Sequence, residues 1–205
     1  MYPGERFNSV THLAGALLAI AGTVVLIVLA ALAGDPWKVV SVAIYGATLV
    51  LLYSFSTLYH SLRGRAKLIL RKLDHHSIYL LIAGSYTPFC LVTLRGPWGW
   101  SLFGVVWGLA MVGILQELRP RNAARTLSLM IYVVMGWVAL VALVQLLHVL
   151  GPAGLAWLVA GGLFYTTGVI FYLLDTRLRH AHGIWHLFVI AGSACHYVAI
   201  LFYVL

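Results

Sequence analysis

The chain has 205 residues, of which 62% are hydrophobic and 9% charged. A soluble domain carries roughly 25% charged residues, so 13 Lys and Arg with 5 Asp and Glu cannot cover a water-facing surface of this size. A soluble enzyme, a disordered chain and a disulfide-stapled secreted module are excluded, which leaves a polytopic membrane protein.

Seven apolar runs follow one another: Val10–Ala33, Val39–Ser61, Ser77–Leu94, Trp98–Leu115, Leu127–Leu150, Ala153–Leu174 and Ile184–Leu205. Each reaches or nearly reaches the length of a transmembrane helix. The breaks carry turn chemistry at Gly34-Asp35-Pro36, Gly96-Pro97 and Gly151-Pro152. Open strands would leave backbone groups unpaired in hydrocarbon, so the spans are helices. The first run exceeds a signal-peptide core in length and is read as a retained helix. The expected fold is all-α: one domain, residues 1–205, forming a seven-transmembrane helical bundle.

The net charge of +8 does not indicate nucleic acid. With seven spans, one side holds Arg6, Arg63, Arg65, Lys67, Arg71, Lys72, Arg119, Arg121, Arg125, Arg177 and Arg179, while the other holds Lys38 and Arg95. Basic residues collect in cytoplasmic loops, so the N-terminus is expected in the cytoplasm and the C-terminus outside, in the plasma (inner) membrane. Trp37, Trp98 and Trp100 then fall at the outer interface, where amphipathic rings belong. Cys90 and Cys195 lie inside apolar runs and read as small hydrophobes. Gly104-x-x-x-Gly108 and Ala160-Gly161-Gly162 read as close helix packing, and Pro88 as a kink in the third span.

Nine histidines are unusual in an apolar chain, because imidazole is costly in lipid. His12, His60, His75, His76, His180, His182 and His186 all fall at the expected cytoplasmic ends. His182 and His186 are four apart and share a helix face, which suits two ligands on one metal ion or two headgroup-facing rings. His60 is the natural third ligand, and Ser56 lies one turn before it. Asp74 either serves such a site or caps a helix N-terminus. Ser56 either faces the site or back-bonds to its own helix. His196 is expected to hydrogen-bond inside the bundle, with a transport role as the alternative.

These residues fall into a pattern: Glu5-x-x-Asn8-x-x-Thr11-His12, Ser56-Thr-Leu-Tyr-His60, Lys72-Leu-Asp74 running into Ala83-Gly84-Ser85-Tyr86-Thr87-Pro88, and His182-Gly-Ile-Trp-His186 with His196 beyond. In them the chain resembles the hemolysin III branch of the progestin and adipoQ receptor family, from about Glu5 to the last span. The resemblance implies seven helices with the N-terminus inside and zinc bound by His60, His182 and His186. It also implies Asp74 near the metal and Ser56 one turn before the first ligand. Alkaline ceramidases, which are distantly similar, hydrolyse a lipid amide at a comparable site.

Three histidines with one open position is the pattern of a catalytic zinc. Asp74 would carry a proton and Ser56 would donate to a developing oxyanion. Membrane lipids are the expected partners, and a long-chain amide or ester the expected substrate class. The alternative keeps zinc as a structural clamp in a sensor of membrane state, a protein of membrane homeostasis, or a membrane-perturbing hemolysin. The outer loops are too short for a protein hormone, so none is expected.

Overall fold

The computed structural model describes residue 1 and residues 4–118 and 124–205. Among the described residues, seven α-helices run in chain order: α1 Arg6–Leu32, α2 Pro36–Ser61, α3 Gly64–Pro88, α4 Pro97–Glu117, α5 Ala124–Trp137, α6 Leu143–Leu173 and α7 Ala181–Tyr203. The described residues contain no strand. Each helix packs on the next, and α7 returns to α1, so the bundle closes into a ring. The α1–α2, α2–α3 and α6–α7 seams are extensive, whereas α5, Ala124–Trp137, meets α6 through few residues, among them Trp137, whose Nε1 donates to Thr166 Oγ1 at 3.0 Å.

Among the described residues, five stretches are long and apolar enough to cross a membrane: Arg6–Leu32, Pro36–Ser61, Pro97–Glu117, Thr126–Leu173 and Ala181–Tyr203. The fourth has 48 residues. A straight helix of that length would extend about 72 Å, more than twice the hydrocarbon core. It is not straight. Gly151 takes φ 67 and ψ 174, a left-handed value that favours glycine, and Pro152 follows it. The Gly-Pro break read from the sequence therefore divides this stretch. Before it, α5 tightens into a 3-10 segment, Val138–Ala142. The Tyr86 hydroxyl lies 2.8 Å and 2.9 Å from the Met135 and Gly136 carbonyls and accepts from the Ala139 N–H at 3.1 Å. A side chain of α3 thus satisfies backbone groups that the change of helix type leaves over.

The structure corrects three expectations. Helix α3 begins at Gly64, not near Ser77, so Arg65, Lys67, Arg71 and Lys72 lie on a helix rather than in a loop. Lys, Arg and Leu are good helix formers, and a helix need only be apolar where it meets hydrocarbon. Asp74 consequently sits in the interior of α3 and is not an N-cap; Asp35 has that role for α2, accepting from Trp37 N–H at 2.9 Å. Finally, a Cβ placed on Gly104 or Gly108 would meet no neighbouring atom within 4 Å, because Val106 and Ala110 carry the buried face of α4. They are not a packing seam. Gly161 is one, since a Cβ there would lie 2.3 Å from His196 Cδ2.

Other readings hold. Beyond Pro88 the α-helix widens into a π-helical turn, Phe89–Thr93, as a residue without an N–H promotes. Trp37 and Trp100 meet edge to face at 5.9 Å, with Arg95 stacked 4.5 Å over Trp37, so these rings share one end of the bundle. Arg119 and Arg121, expected in the basic loops, lie outside the described residues.

Replacing Gly151 by Ala forces a side chain into the left-handed region, at a cost of about 1–2 kcal/mol. Thermal unfolding in detergent should show a lower midpoint for Gly151→Ala and an unchanged or slightly higher one for Gly104→Ala.

Candidate metal centre

The end of the bundle opposite Trp37 collects the polar residues. His60 is in the last turn of α2, Asp74 in α3, and His182 and His186 in the first turns of α7. The α6–α7 turn places α7 through a left-handed residue, His180 at φ 65. Gly183 then lets α7 approach α1 closely: a Cβ there would lie 2.2 Å from Phe7 Cδ1 and 2.9 Å from Asn8 Oδ1.

The three histidines picked out in the sequence converge. Their ring centroids form a nearly equilateral triangle with sides of 5.0 Å (His60–His182), 5.1 Å (His60–His186) and 4.9 Å (His182–His186). Each offers a ligand atom, and these atoms lie within 4.8 Å of one another. Tetrahedral zinc at 2.0–2.1 Å from each nitrogen would hold them about 3.3 Å apart, a difference that modest side-chain rotations close.

The hydrogen bonds fix which nitrogen is available. His60 Nδ1 donates to Glu5 Oε2 at 2.6 Å. His186 Nδ1 donates to the Asn8 carbonyl at 3.1 Å and lies 3.2 Å from Thr11 Oγ1. His182 Nδ1 faces Asp175 Oδ2 at 3.5 Å. With Nδ1 holding the proton, Nε2 presents a bare lone pair, the form in which imidazole binds metal. The Nε2 atoms of all three are buried and have no hydrogen-bond partner among the described residues. A donor set of three orphaned imidazole nitrogens fits zinc or another borderline divalent ion.

Asp74 is buried and lines one cavity with His12, the ring that stacks on His186, and Ser56 is buried one turn before His60 on α2. The structure therefore brings all five sequence-derived site residues into one region. His75 goes elsewhere, toward Glu117 at 3.8 Å. His196 bonds inside the bundle as expected, Nε2 to the Leu158 carbonyl at 3.3 Å.

Sequence reasoning gave no role to His12, which is fully buried and stacks on His186 at 3.5 Å with an interplanar angle of 11°. It also left Glu5 and Asp175 without a role. Glu5 lies just outside α1. Burial raises its carboxyl pKa, but hydrogen bonds from His60, Asn8 and Lys67 outweigh this and hold it at about 2, so it is a carboxylate. The signal in the sequence was rarity alone: the chain has five acids, and the structure sets Glu5, Glu117 and Asp175 each beside a histidine.

Beside the triad runs a partly open cavity of about 110 Å³. His12 and Asp74 line it next to the triad, and Trp137, Gly162 and His196 line it further along. Asp74, Ile78, Ile82 and Ser85 of α3 all face it, a stretch of about 17 Å along the helix. Its walls are otherwise mostly apolar and aromatic.

A family model described as haemolysin-III related matches residues 2–197. The chain belongs to the haemolysin III family. It is 44% identical to hemolysin-3 of Bacillus cereus, over 98% of this chain and 92% of that protein. It is 43% identical to a hemolysin-3 homolog of Bacillus subtilis, over 97% and 93%. The human monocyte to macrophage differentiation factor is 32% identical, over 94% of this chain and 81% of its own length. These relatives agree with the family resemblance carried by the motifs. In this haemolysin III protein the motif residues Glu5, Asn8, Thr11 and His12 share the face of α1 turned to the three histidines.

Gly183→Val would drive its side chain into Phe7 and Asn8 and displace α1 from His186. Thermal unfolding in detergent should show a loss of several degrees for Gly183→Val, larger than for a valine placed at exposed Gly108.

Proposed function

We propose that this is an integral membrane protein with seven spans, N-terminus in the cytoplasm, that binds zinc through His60, His182 and His186 and hydrolyses a long-chain amide or ester drawn from the bilayer. The observation that carries the reading is the gathering of three buried imidazole nitrogens within 4.8 Å of one another at the end of the bundle where Asp74 lines a mostly apolar cavity. The seven-span count is supported by the break at Gly151, which splits the longest apolar stretch, and by α3, whose second half is apolar. Orientation and location in the plasma membrane rest on the uneven distribution of Lys and Arg.

When bound, zinc supplies a Lewis acid that polarises a carbonyl. The chain's own residues do the rest. Asp74, at the cavity wall, takes a proton from the water that adds to the acyl carbon and passes it to the amine or alcohol as the C–N or C–O bond breaks, releasing the fatty acid. Ser56 donates a hydrogen bond to the substrate's developing oxyanion during reaction. The cavity excludes water from the alkyl chain and holds it in register with Asp74. The thin α5–α6 seam is the natural lateral entrance.

A second reading is favoured by the way the ligands tie α2 to α7. In it the metal is a clamp, and the protein senses bilayer state or perturbs membranes, as the names of its hemolysin relatives suggest.

Elemental analysis of purified protein should find about one zinc per chain, and His182→Ala or His186→Ala should lose most of it. Unchanged metal in both variants overturns the site. Incubated with ceramides, acyl amides and phospholipids, the zinc-loaded protein should release fatty acid, and Asp74→Asn should slow this roughly 10²–10⁴-fold while keeping its metal. Zinc-loaded protein that leaves every lipid intact is the clamp.

A further inference from the structure

Helix α1 supplies none of the three histidines, yet its N-cap residue Glu5 contacts His60 and its first turns contact His186. Glu5 Oε2 accepts from His60 Nδ1 at 2.6 Å and from Asn8 Nδ2 at 2.8 Å, while Glu5 Oε1 accepts from Lys67 Nζ at 3.2 Å. Asn8 also contributes its carbonyl, and Thr11 its hydroxyl, to His186 Nδ1. The spacing Glu5-x-x-Asn8-x-x-Thr11 puts these groups on one helix face, beside α2 at one edge and α7 at the other.

The three histidines therefore have unlike supports. His60 has a carboxylate at short range, His182 a carboxylate at 3.5 Å, and His186 neutral oxygens only. A carboxylate that accepts from Nδ1 fixes the tautomer, locks the ring and makes Nε2 a better donor. On that scale His60 is the ligand most strongly tuned, and Glu5 is the group that tunes it.

We infer that Glu5 is a positioning residue of the metal centre, holding His60 in its metal-binding tautomer and orientation so that metal affinity depends on the docking of α1 against α2. The inference rests on the zinc reading above. Lys67 holds the other carboxylate oxygen, Oε1, and Asn8 shares Oε2 with His60, so Glu5 is braced by α3 and by the first turn of α1. Metal binding and the seating of α1 are then linked: loss of the Glu5–His60 contact weakens the site, and an ion on His60 favours the seated helix.

The test is a zinc competition titration of the full-length protein in detergent, with a chelator of known affinity. Glu5→Ala should weaken zinc binding roughly 10- to 100-fold, and Glu5→Gln, which keeps an acceptor without the charge, should fall between it and wild type. Lys67→Met removes the tie to α3 but not the His60 contact, and should stay within about threefold of wild type, as partly exposed pairs are worth little. Loaded with Co²⁺, Glu5→Ala should also show a shifted d–d absorption spectrum and Lys67→Met an unshifted one. If Glu5→Ala folds poorly, Glu5→Gln decides by the same two readouts. Wild-type affinity in the Glu5 variants, or an equal loss in Lys67→Met, overturns the inference and leaves the zinc reading standing. Wild-type protein that binds no zinc instead overturns the zinc reading, and this inference with it.

Discussion

Three imidazole nitrogens sealed inside an apolar bundle are the constraint on which the rest turns. A buried acceptor without a partner costs roughly 1–3 kcal/mol, and here three share one small volume. The surrounding residues do not relieve the cost. They hold the opposite nitrogen of each ring, at Glu5, Asp175 and the Asn8 carbonyl, and so turn the unpaired nitrogens toward one another. An arrangement that leaves three lone pairs facing a common point is unfavourable for folding alone and favourable for a cation.

Helix placement follows from the same need. His60 is brought in by the end of α2, His182 and His186 by the start of α7, and the ring closes between them through α1. Gly183 lets α7 lie against Phe7 and Asn8, and stacking of His12 on His186 fills the space behind the triad. Outside this end the bundle is loose where α5 meets α6, and the cavity occupies that gap, from Asp74 to His196. The polar end is well tied and the apolar part is open, a division of labour suited to a ligand with a reactive head and an oily tail.

Much of this was legible in the sequence. Apolar run length and Gly-Pro breaks gave the helices, because hydrocarbon leaves few alternatives for backbone hydrogen bonding. The i, i+4 pair at His182 and His186, together with His60, gave the triad. What stayed hidden depended on contacts between distant segments. The charges of Arg65 to Lys72 concealed the start of α3, since apolar patterning detects hydrocarbon and not helix as such. The small-residue spacing of Gly104 and Gly108 said nothing about which face of α4 is buried. Glu5 and Asp175 could be noted as rare acids, but their pairing with His60 and His182 is fixed by helix docking, which no local pattern encodes. The cavity arises from thin contact between α5 and α6 and has no signature in either helix.

The most direct test of the central claim is X-ray absorption spectroscopy at the zinc edge of the purified, zinc-loaded protein. Convergence of His60, His182 and His186 predicts a first shell dominated by three imidazole nitrogens at about 2.0–2.1 Å, with the outer-shell scattering of their rings. A first shell made only of oxygen, or with a single imidazole, would contradict it.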